Sequence, residues 1–405
     1  MSSFLVKFFL DVKKQRIILA SLFFLFFISS FLQPYSSMVG INSNIFAILL
    51  IVYLFIYSHF HRNTNKIYPF LFCLAFIVLR FVSLGWGFNS EQGINVVETH
   101  YLTLGMMLIM CFLISIIKTD SSTIKCVFSS YYFASLIIVF LQLFFHKPFA
   151  SVANRQVITL FGGQDDPNQL GAILNIAVCF SLFYAIKISK LSIRILNIVF
   201  YFLSFLAISL TGSRGALLSF VLISLCSLAF FIYTNRHGSK TRLLIIIAII
   251  AAFSTVSVIL AFYLLPSNIL YRLFFKGFGD GSGRLSFWND SFQLIKERPL
   301  FGYGWGGVYV RVHNTFISIA LDNGLFGLFL FLCFLLVIIF RIYQKKSFLC
   351  LSLLLSSLIC SFFIEAITLR FLWIGFFISI LATNNLKTIT ADKKKSLIYY
   401  YSIEI

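Results

Sequence analysis

Residues 314–340 read NTFISIALDNGLFGLFLFLCFLLVIIF, and Asp322 is the only charged residue in this stretch. A helix of roughly 20 apolar residues is long enough to cross a bilayer. Similar runs predict further spans near 17–33, 41–60, 67–86, 101–117, 126–145, 169–186, 195–211, 214–233, 243–265, 348–366 and 370–383. The chain is 60% hydrophobic and 11% charged, which is not the composition of a soluble domain. The sequence therefore predicts an all-α integral membrane protein, a single polytopic domain (1–405) with about 12 transmembrane helices.

The basic residues are distributed unevenly between the loops that connect these spans. When loops are assigned alternately from an inside N-terminus, 21 of the 32 Lys and Arg residues fall on the inside. Cytoplasmic loops are enriched in Lys and Arg. We therefore expect both termini to be cytoplasmic, and the formal net charge of +19 needs no nucleic-acid partner.

Most of the other basic residues lie in two long outer loops, a smaller one at 146–168 and a larger one at 266–312. The larger loop, between the ninth and tenth spans, carries Arg284, Arg298 and Arg311. Arginine is a permanent, planar cation that binds carboxylates and phosphates with several donors. The loop therefore favours chemistry on an anionic, lipid-linked substrate.

A short outer turn ends on Ser213 and Arg214, where the eighth span begins. Ser213 can cap that helix, whose positive dipole end then faces outward beside the guanidinium. This arrangement predicts an anion site, and the alternative for Arg214 is snorkelling to the outer surface. For Arg80 and Arg370 we favour snorkelling or an internal ion pair, with Glu365 as a candidate mate of Arg370.

The tenth span begins at His313 and Asn314, also on the outer side. A helix N-terminus disfavours an imidazolium, so His313 is expected to be neutral, as a general base must be. The alternative is that His313 and Asn314 form only a polar cap for the helix.

Within the larger outer loop, Leu285, Trp288, Phe292 and Ile295 lie three, four and three residues apart. This spacing predicts one face of a short amphipathic helix, lying on the outer surface with Trp288 at the membrane interface and ending before Pro299. The alternative function of such a helix is a lid that only seals the bundle.

Residues 302–307 read GYGWGG. The glycines predict a tight, mobile backbone, and the rings of Tyr303 and Trp305 offer faces on which a sugar could stack. The alternative is a plain flexible connector.

Asp165, Asp166, Pro167, Asn168 and Gln169 open the sixth span. One interpretation is a helix start, with Asp166 as cap, Pro167 in the first position and Gln169 closing the capping box. The other is binding of sugar hydroxyls or assistance to the base. The spacing is not that of a metal site, and we expect no metal and no cofactor. The eight cysteines lie in or beside apolar segments and are expected to pack as small apolar side chains.

Three motifs together resemble the O-antigen ligase and O-antigen polymerase superfamily. They are His313-Asn314 followed by Gly324 and Gly327; Thr211-Gly212-Ser213-Arg214-Gly215-Ala216; and Arg284, Trp288 and Pro299 followed by Gly302-Tyr303-Gly304. The resemblance covers roughly residues 160–335.

This resemblance implies a metal-independent, inverting glycosyl transfer at the periplasmic face of a bacterial inner membrane, from a glycan carried on undecaprenyl pyrophosphate. It implies that Arg214 and Arg284 hold the pyrophosphate and that His313 takes the proton from the acceptor hydroxyl. The residues expected to bind substrate are Asn314, Trp288, Tyr303, Trp305, Arg298, Arg311, Asp165, Asp166 and Asn168. Besides the lipid-linked oligosaccharide and membrane lipids, a chain-length regulator protein is a candidate partner.

Two acceptors are compatible with this chemistry. A polymerase adds the growing chain to another lipid-linked repeat unit, whereas a ligase moves the finished chain to lipid A-core. We favour the polymerase because of the turn at 166–168 and the compact loop before His313. The alternative from another class is a transporter of lipid-linked sugars. It would place charged residues along a central path, and here they gather at one outer face.

Overall fold

The computed structural model describes residues 12–33, 44–61, 67–87, 91–149, 152–160, 163–164, 166–235, 255, 259, 262–275, 284–308, 310, 312–345 and 347–385. Most of these residues are helical. The α-helices are α1 (Val12–Phe31), α2 (Asn44–Phe60), α3 (Tyr68–Val82), α4 (Leu84–Gly87), α5 (Glu91–Ile116), α6 (Ser121–Phe144), α7 (Pro167–Lys187), α8 (Leu191–Leu210), α9 (Arg214–Asn235), α10 (Ser267–Leu270), α11 (Arg284–Glu297), α12 (Thr315–Lys345), α13 (Phe348–Ser361) and α14 (Arg370–Asn385). A π-helical turn, Tyr271–Phe275, continues α10.

The described helices match a multi-pass membrane protein. Six helical stretches are long and apolar enough to cross a membrane, namely α1, α3 with α4, α6, α7, α8 and α12. Shorter apolar helices lie in α2, α5, α9, α13 and α14. All the predicted spans but one fall on helices, and the exception, 243–265, lies largely outside the described residues.

The predicted span 348–366 is too long. Helix α13 ends at Ser361, and the chain then folds back against the start of α12. There the Thr315 hydroxyl donates to the Ile364 carbonyl at 2.7 Å and accepts from the Ala366 amide at 2.8 Å. These bonds satisfy backbone groups that a continuing helix would have paired.

The smaller outer loop contains a three-stranded antiparallel sheet, which the sequence did not predict. Its strands are β1 (His146–Phe149), β2 (Val152–Leu160) and β3 (Gly163–Gln164), in that order. Val157 and Ile158 of β2 are fully buried, and the Gln142 side chain donates to the Gln156 carbonyl at 2.8 Å. The sheet is therefore packed onto the helical bundle.

Helix α12 is broken at Gly324, where the backbone adopts φ 66° and ψ −173°. Residues 299–304 fill the break. The amides of residues 303 and 304 donate to the Leu321 and Asp322 carbonyls at 2.8 Å, and the carbonyls of residues 299 and 300 accept from residues 325–326 at 2.7 and 3.2 Å. The GYGWGG run is thus docked at its start by paired backbone groups, and its glycines permit close approach there rather than mobility.

Alanine at Gly324 is expected to destabilise the protein by more than about 2 kcal/mol, because a positive φ is strained in L-residues and the site is crowded. The added Cβ would lie 2.1 Å from the Leu300 carbonyl oxygen. The measurement is the thermal unfolding midpoint in detergent. Gly105 in α5 is the matched control, since a Cβ there meets nothing within 4 Å. Equal midpoints for the two variants would contradict the docked arrangement.

Arg80 forms an internal ion pair rather than snorkelling. It is 1% exposed and donates to Asp322 at 2.8 Å and to Asn323 at 3.1 Å. Glu365, the candidate mate of Arg370, accepts a hydrogen bond from the Ser318 hydroxyl at 2.8 Å. Arg370 itself donates to the Asn44 side chain at the start of α2.

Candidate functional site

A cavity of about 500 Å³ lies at the starts of α9 and α11. Four arginines line it, Arg155, Arg214, Arg272 and Arg284. The remaining wall is largely apolar and consists of Leu217, Leu218, Val221, Leu273, Leu285, Trp288 and Phe363, with Asn168 and Gly215 completing the lining. The cavity thus combines concentrated positive charge with an apolar surface.

Arg214 and Arg284 are each the first residue of a helix, α9 and α11 respectively. The first turn of a helix has unpaired N–H groups and the positive end of the dipole. At α9 the Ser213 hydroxyl accepts from the Ala216 amide at 3.4 Å, so the predicted cap is confirmed. Two helix N-termini therefore add to the positive potential of the arginines.

Backbone carbonyls hold two of the guanidinium groups in place. Arg214 donates through Nε and Nη2 to the Arg272 carbonyl, at 3.1 and 2.9 Å. Arg272 in turn donates through Nε to the Gly212 carbonyl at 2.9 Å. The Arg214 side chain is thus folded into the cavity wall by the segment around Arg272, and this placement favours the anion site over snorkelling.

Arg155 reaches the cavity from β2. Its Nη2 donates to Asn168 Oδ1 at 2.7 Å and its Nε to the Thr211 carbonyl at 3.3 Å. The same Asn168 oxygen accepts from the Ser213 hydroxyl at 3.0 Å. One amide oxygen therefore ties the sheet, the start of α7 and the start of α9 together.

The arginines repel one another, so each makes it less favourable for its neighbours to carry a positive charge. Burial, together with the neighbouring Arg272 and Arg284 guanidinium groups, lowers the pKa of Arg155 to about 10, and Asp166 opposes part of this shift. Burial also lowers the pKa of Arg272 and of Arg284. With a pKa of about 10, Arg155 still carries its charge near pH 7. A crowded cationic site of this kind is stabilised by a bound anion.

The residue before His313 contacts the wall of this cavity. Trp288, which lines the cavity, donates its indole N–H to the Val312 carbonyl at 2.9 Å. His313 follows with an exposed side chain and a φ of 50°. Positive φ is uncommon for a non-glycine residue and is often found at functional sites. The side chain itself does not line the cavity.

Asn314 is the cap of α12. Its side-chain oxygen accepts from the amides of Phe316 at 2.9 Å and Ile317 at 3.1 Å, and the residue is 4% exposed. The capping role considered for both residues thus falls to Asn314.

Residues 199–332 match the family model described as O-Antigen ligase. The match confirms the resemblance to the O-antigen ligase and polymerase superfamily. Members of this family are glycosyltransferase-like membrane enzymes. No match was found among curated proteins. Arg214, Arg284 and His313 lie within the matched stretch, and Arg155 precedes it.

Asp166, another residue predicted to bind substrate, lies near the cavity without lining it. Asp166 is exposed and caps α7, accepting from the amides of Asn168 at 2.8 Å and Gln169 at 3.0 Å. The helix-start interpretation is therefore confirmed for Asp166. Asp165 and Arg311 lie outside the described residues.

The aromatic residues of the GYGWGG run lie away from the cavity. The Tyr303 hydroxyl donates to Glu297, and the Arg298 guanidinium lies 4.8 Å from the centre of the Tyr303 ring. Trp305 is 1% exposed and packs under the Arg80 guanidinium, 4.8 Å from its ring centre. No face of Trp305 is accessible to a sugar, and we assign it to packing.

Helix α11 ends before Pro299, as predicted, and only part of its predicted apolar face contacts the bundle. Trp288, Leu294 and Ile295 pack against Val312, Ile317 and Leu321. Leu285 and Phe292, assigned by their spacing to the same face, are 57% and 49% exposed. Trp288 is partly buried against the start of α12, and its position at the membrane interface stays a prediction.

The cavity residues that sequence reasoning missed include Arg155, Arg272 and Phe363. Both arginines were recognisable as basic residues in outer loops, but nothing in their spacing pairs them with Arg214. Phe363 lies in the segment that folds back after α13, and the sequence predicted this segment to be part of the helix. The centre of the Phe363 ring is 6.0 Å from the Arg284 guanidinium.

Proposed function

We propose that this protein transfers a glycan from undecaprenyl pyrophosphate to a lipid-linked repeat unit at the periplasmic face of a bacterial inner membrane. The observation that carries the proposal is the cavity in which four arginines meet an apolar wall. A pyrophosphate joined to a long hydrocarbon has both of these properties.

The arginines would stabilise the leaving pyrophosphate. Breaking the bond between the anomeric carbon and the phosphate oxygen leaves negative charge on the pyrophosphate. Preorganised donors aimed at developing charge are a major source of catalysis. Guanidinium groups supply several such donors without requiring a proton transfer. Leu218 and Val221, 45% and 43% exposed on α9, would contact the hydrocarbon of the carrier.

His313 would act as the general base. The acceptor hydroxyl must lose a proton as it attacks the anomeric carbon from the face opposite the leaving group. A single base and a stabilised leaving group suffice for this inverting displacement. The exposed position of His313, one residue after the Val312 carbonyl that Trp288 contacts, supports this role, while Asn314 provides the helix cap.

A polymerase and a ligase differ in the molecule that accepts the glycan. We propose the polymerase, supported by the compact loop before His313. Purified protein supplied only with lipid-linked repeat units should form glycans of two or more repeats. If elongation is absent and transfer occurs only when lipid A-core is added, the protein is a ligase.

The mechanism also requires the larger outer loop to be periplasmic. In intact spheroplasts, an impermeant thiol reagent should label Asp280→Cys, and Lys394→Cys should become labelled only after lysis. The expectation rests on the excess of basic residues in the inside loops. The parent protein, with its eight native cysteines, gives the background. The reverse labelling pattern would exclude the proposed topology and the mechanism with it.

A further inference from the structure

The outer-loop segment that fills the break in α12 exposes two large apolar side chains. Leu300 is 63% exposed and Phe301 is 53% exposed. Both lie between the end of α11 and the GYGWGG run, in the larger outer loop, which the sequence predicts to lie outside the membrane. Exposed apolar side chains in contiguous patches mark surfaces that contact a partner or a membrane.

This pair is continuous with exposed apolar side chains on two helical stretches that are long and apolar enough to cross a membrane. The Phe301 ring centre lies 5.8 Å from that of Phe326 in α12 and 6.4 Å from that of Trp86 in α4. Below the break, Leu325, Phe326 and Phe329 of α12 are 51%, 44% and 59% exposed. On the neighbouring α3, Val78 and Val82 are 46% and 57% exposed.

The break at Gly324 also marks a change in the surroundings of α12. Between Thr315 and Gly324 most residues are buried in the protein, whereas exposed apolar residues recur from Leu325 onward. From Leu325 to Phe340, the last residue before Arg341, the helix measures roughly 24 Å at about 1.5 Å per residue. This is shorter than the hydrocarbon thickness of about 30 Å. A hydrocarbon layer that ends at Arg341 therefore reaches Gly324 and includes the level of Phe301.

We propose that Leu300 and Phe301 form a loop anchor that inserts into the acyl chains of the outer leaflet. Phe326 packs against the anchor, and Trp86 flanks it as a tryptophan, a residue type enriched at membrane interfaces. The anchor precedes the GYGWGG run and His313 and is docked to α12 by backbone hydrogen bonds. It thereby fixes the outer loop to the bilayer surface. If the proposed function holds, it also keeps the arginine cavity near the level of lipid phosphates.

Depth-dependent quenching of fluorescence tests the anchor without reference to glycosyl transfer. The Phe301→Trp variant of the full chain is placed in lipid nanodiscs. The emission of the added tryptophan is obtained by subtracting the emission of the parent protein from that of the variant. Lipids brominated on the upper part of their acyl chains should quench most of the added emission, and aqueous iodide should quench little of it. Lys296→Trp, an exposed position at the end of α11, is the control and should show the opposite pattern.

Equal behaviour of the two variants, with strong iodide quenching and no quenching by the brominated lipids, would overturn the anchor. Leu300→Trp repeats the measurement if Phe301→Trp fails to fold, with the same expectation. The measurement reports only the depth of the loop in the bilayer. It therefore shows whether the loop is inserted independently of whether the protein transfers glycans.

Discussion

Alanine at Arg284 is expected to reduce glycan transfer by a factor of at least about 10²–10³, the usual effect of removing one preorganised donor to a developing oxyanion. Arg284 begins α11 and lines the cavity beside Arg214 and Arg272. The same loss is expected for Arg214→Ala. Both variants should still insert into the membrane. The measurement is the rate of elongation by purified protein, normalised to the amount folded.

Two further variants define what Arg284 contributes. Arg284→Lys should rescue poorly, because an ammonium group cannot reproduce the forked contact of a guanidinium with phosphate. Lys296→Ala removes a cation from the exposed side of the same helix and should leave the rate near that of the parent. Full activity of Arg284→Lys would show that only bulk positive charge matters at this position.

Alanine at His313 is expected to reduce the rate of transfer by a factor of roughly 10²–10⁴, the range for loss of a general base. Expression and donor binding should remain close to normal, and cells should carry glycans only one repeat unit long. Asn314→Ala is the neighbouring control for structure. It removes the cap of α12 and should cost about 1 kcal/mol of stability.

Comparison of the two variants separates chemistry from folding. If purified His313→Ala elongates lipid-linked repeats within a few fold of the parent, His313 is structural. The base would then be sought at Asp165 and Asp166, although the Asp166 side chain already caps α7.

The parts of the structure set by local sequence were predictable. Apolar runs located the helices, because a span must satisfy its own backbone in lipid. Ser213 and Asp166 were recognised as caps, since a cap depends on residues within one turn. The arginines that begin α9 and α11 could likewise be placed at helix N-termini.

The parts that depend on long-range contacts were not predictable. The arginine cavity requires β2 to bring Arg155 to the start of α9, and the sheet itself gives only a weak local pattern. The glycines at 302, 304 and 324 were visible, but the sequence did not show that the backbones of 299–304 and α12 meet. Tryptophan is a residue type typical of membrane interfaces, so the sequence favoured that position for Trp288. Its packing against the start of α12 is visible only from the hydrogen bond to Val312.

The most direct test of the central claim is the fate of the bond between the glycan and its lipid carrier. Purified protein is incubated with undecaprenyl-pyrophosphate-linked repeat units in the presence of a metal chelator, and the lipid products are identified by mass spectrometry. We predict that free undecaprenyl pyrophosphate appears in step with each glycosidic bond formed, and that Arg284→Ala and His313→Ala release almost none. Movement of intact lipid-linked sugar between the two leaflets of a proteoliposome, with no cleavage of this bond, would contradict the account and identify a transporter.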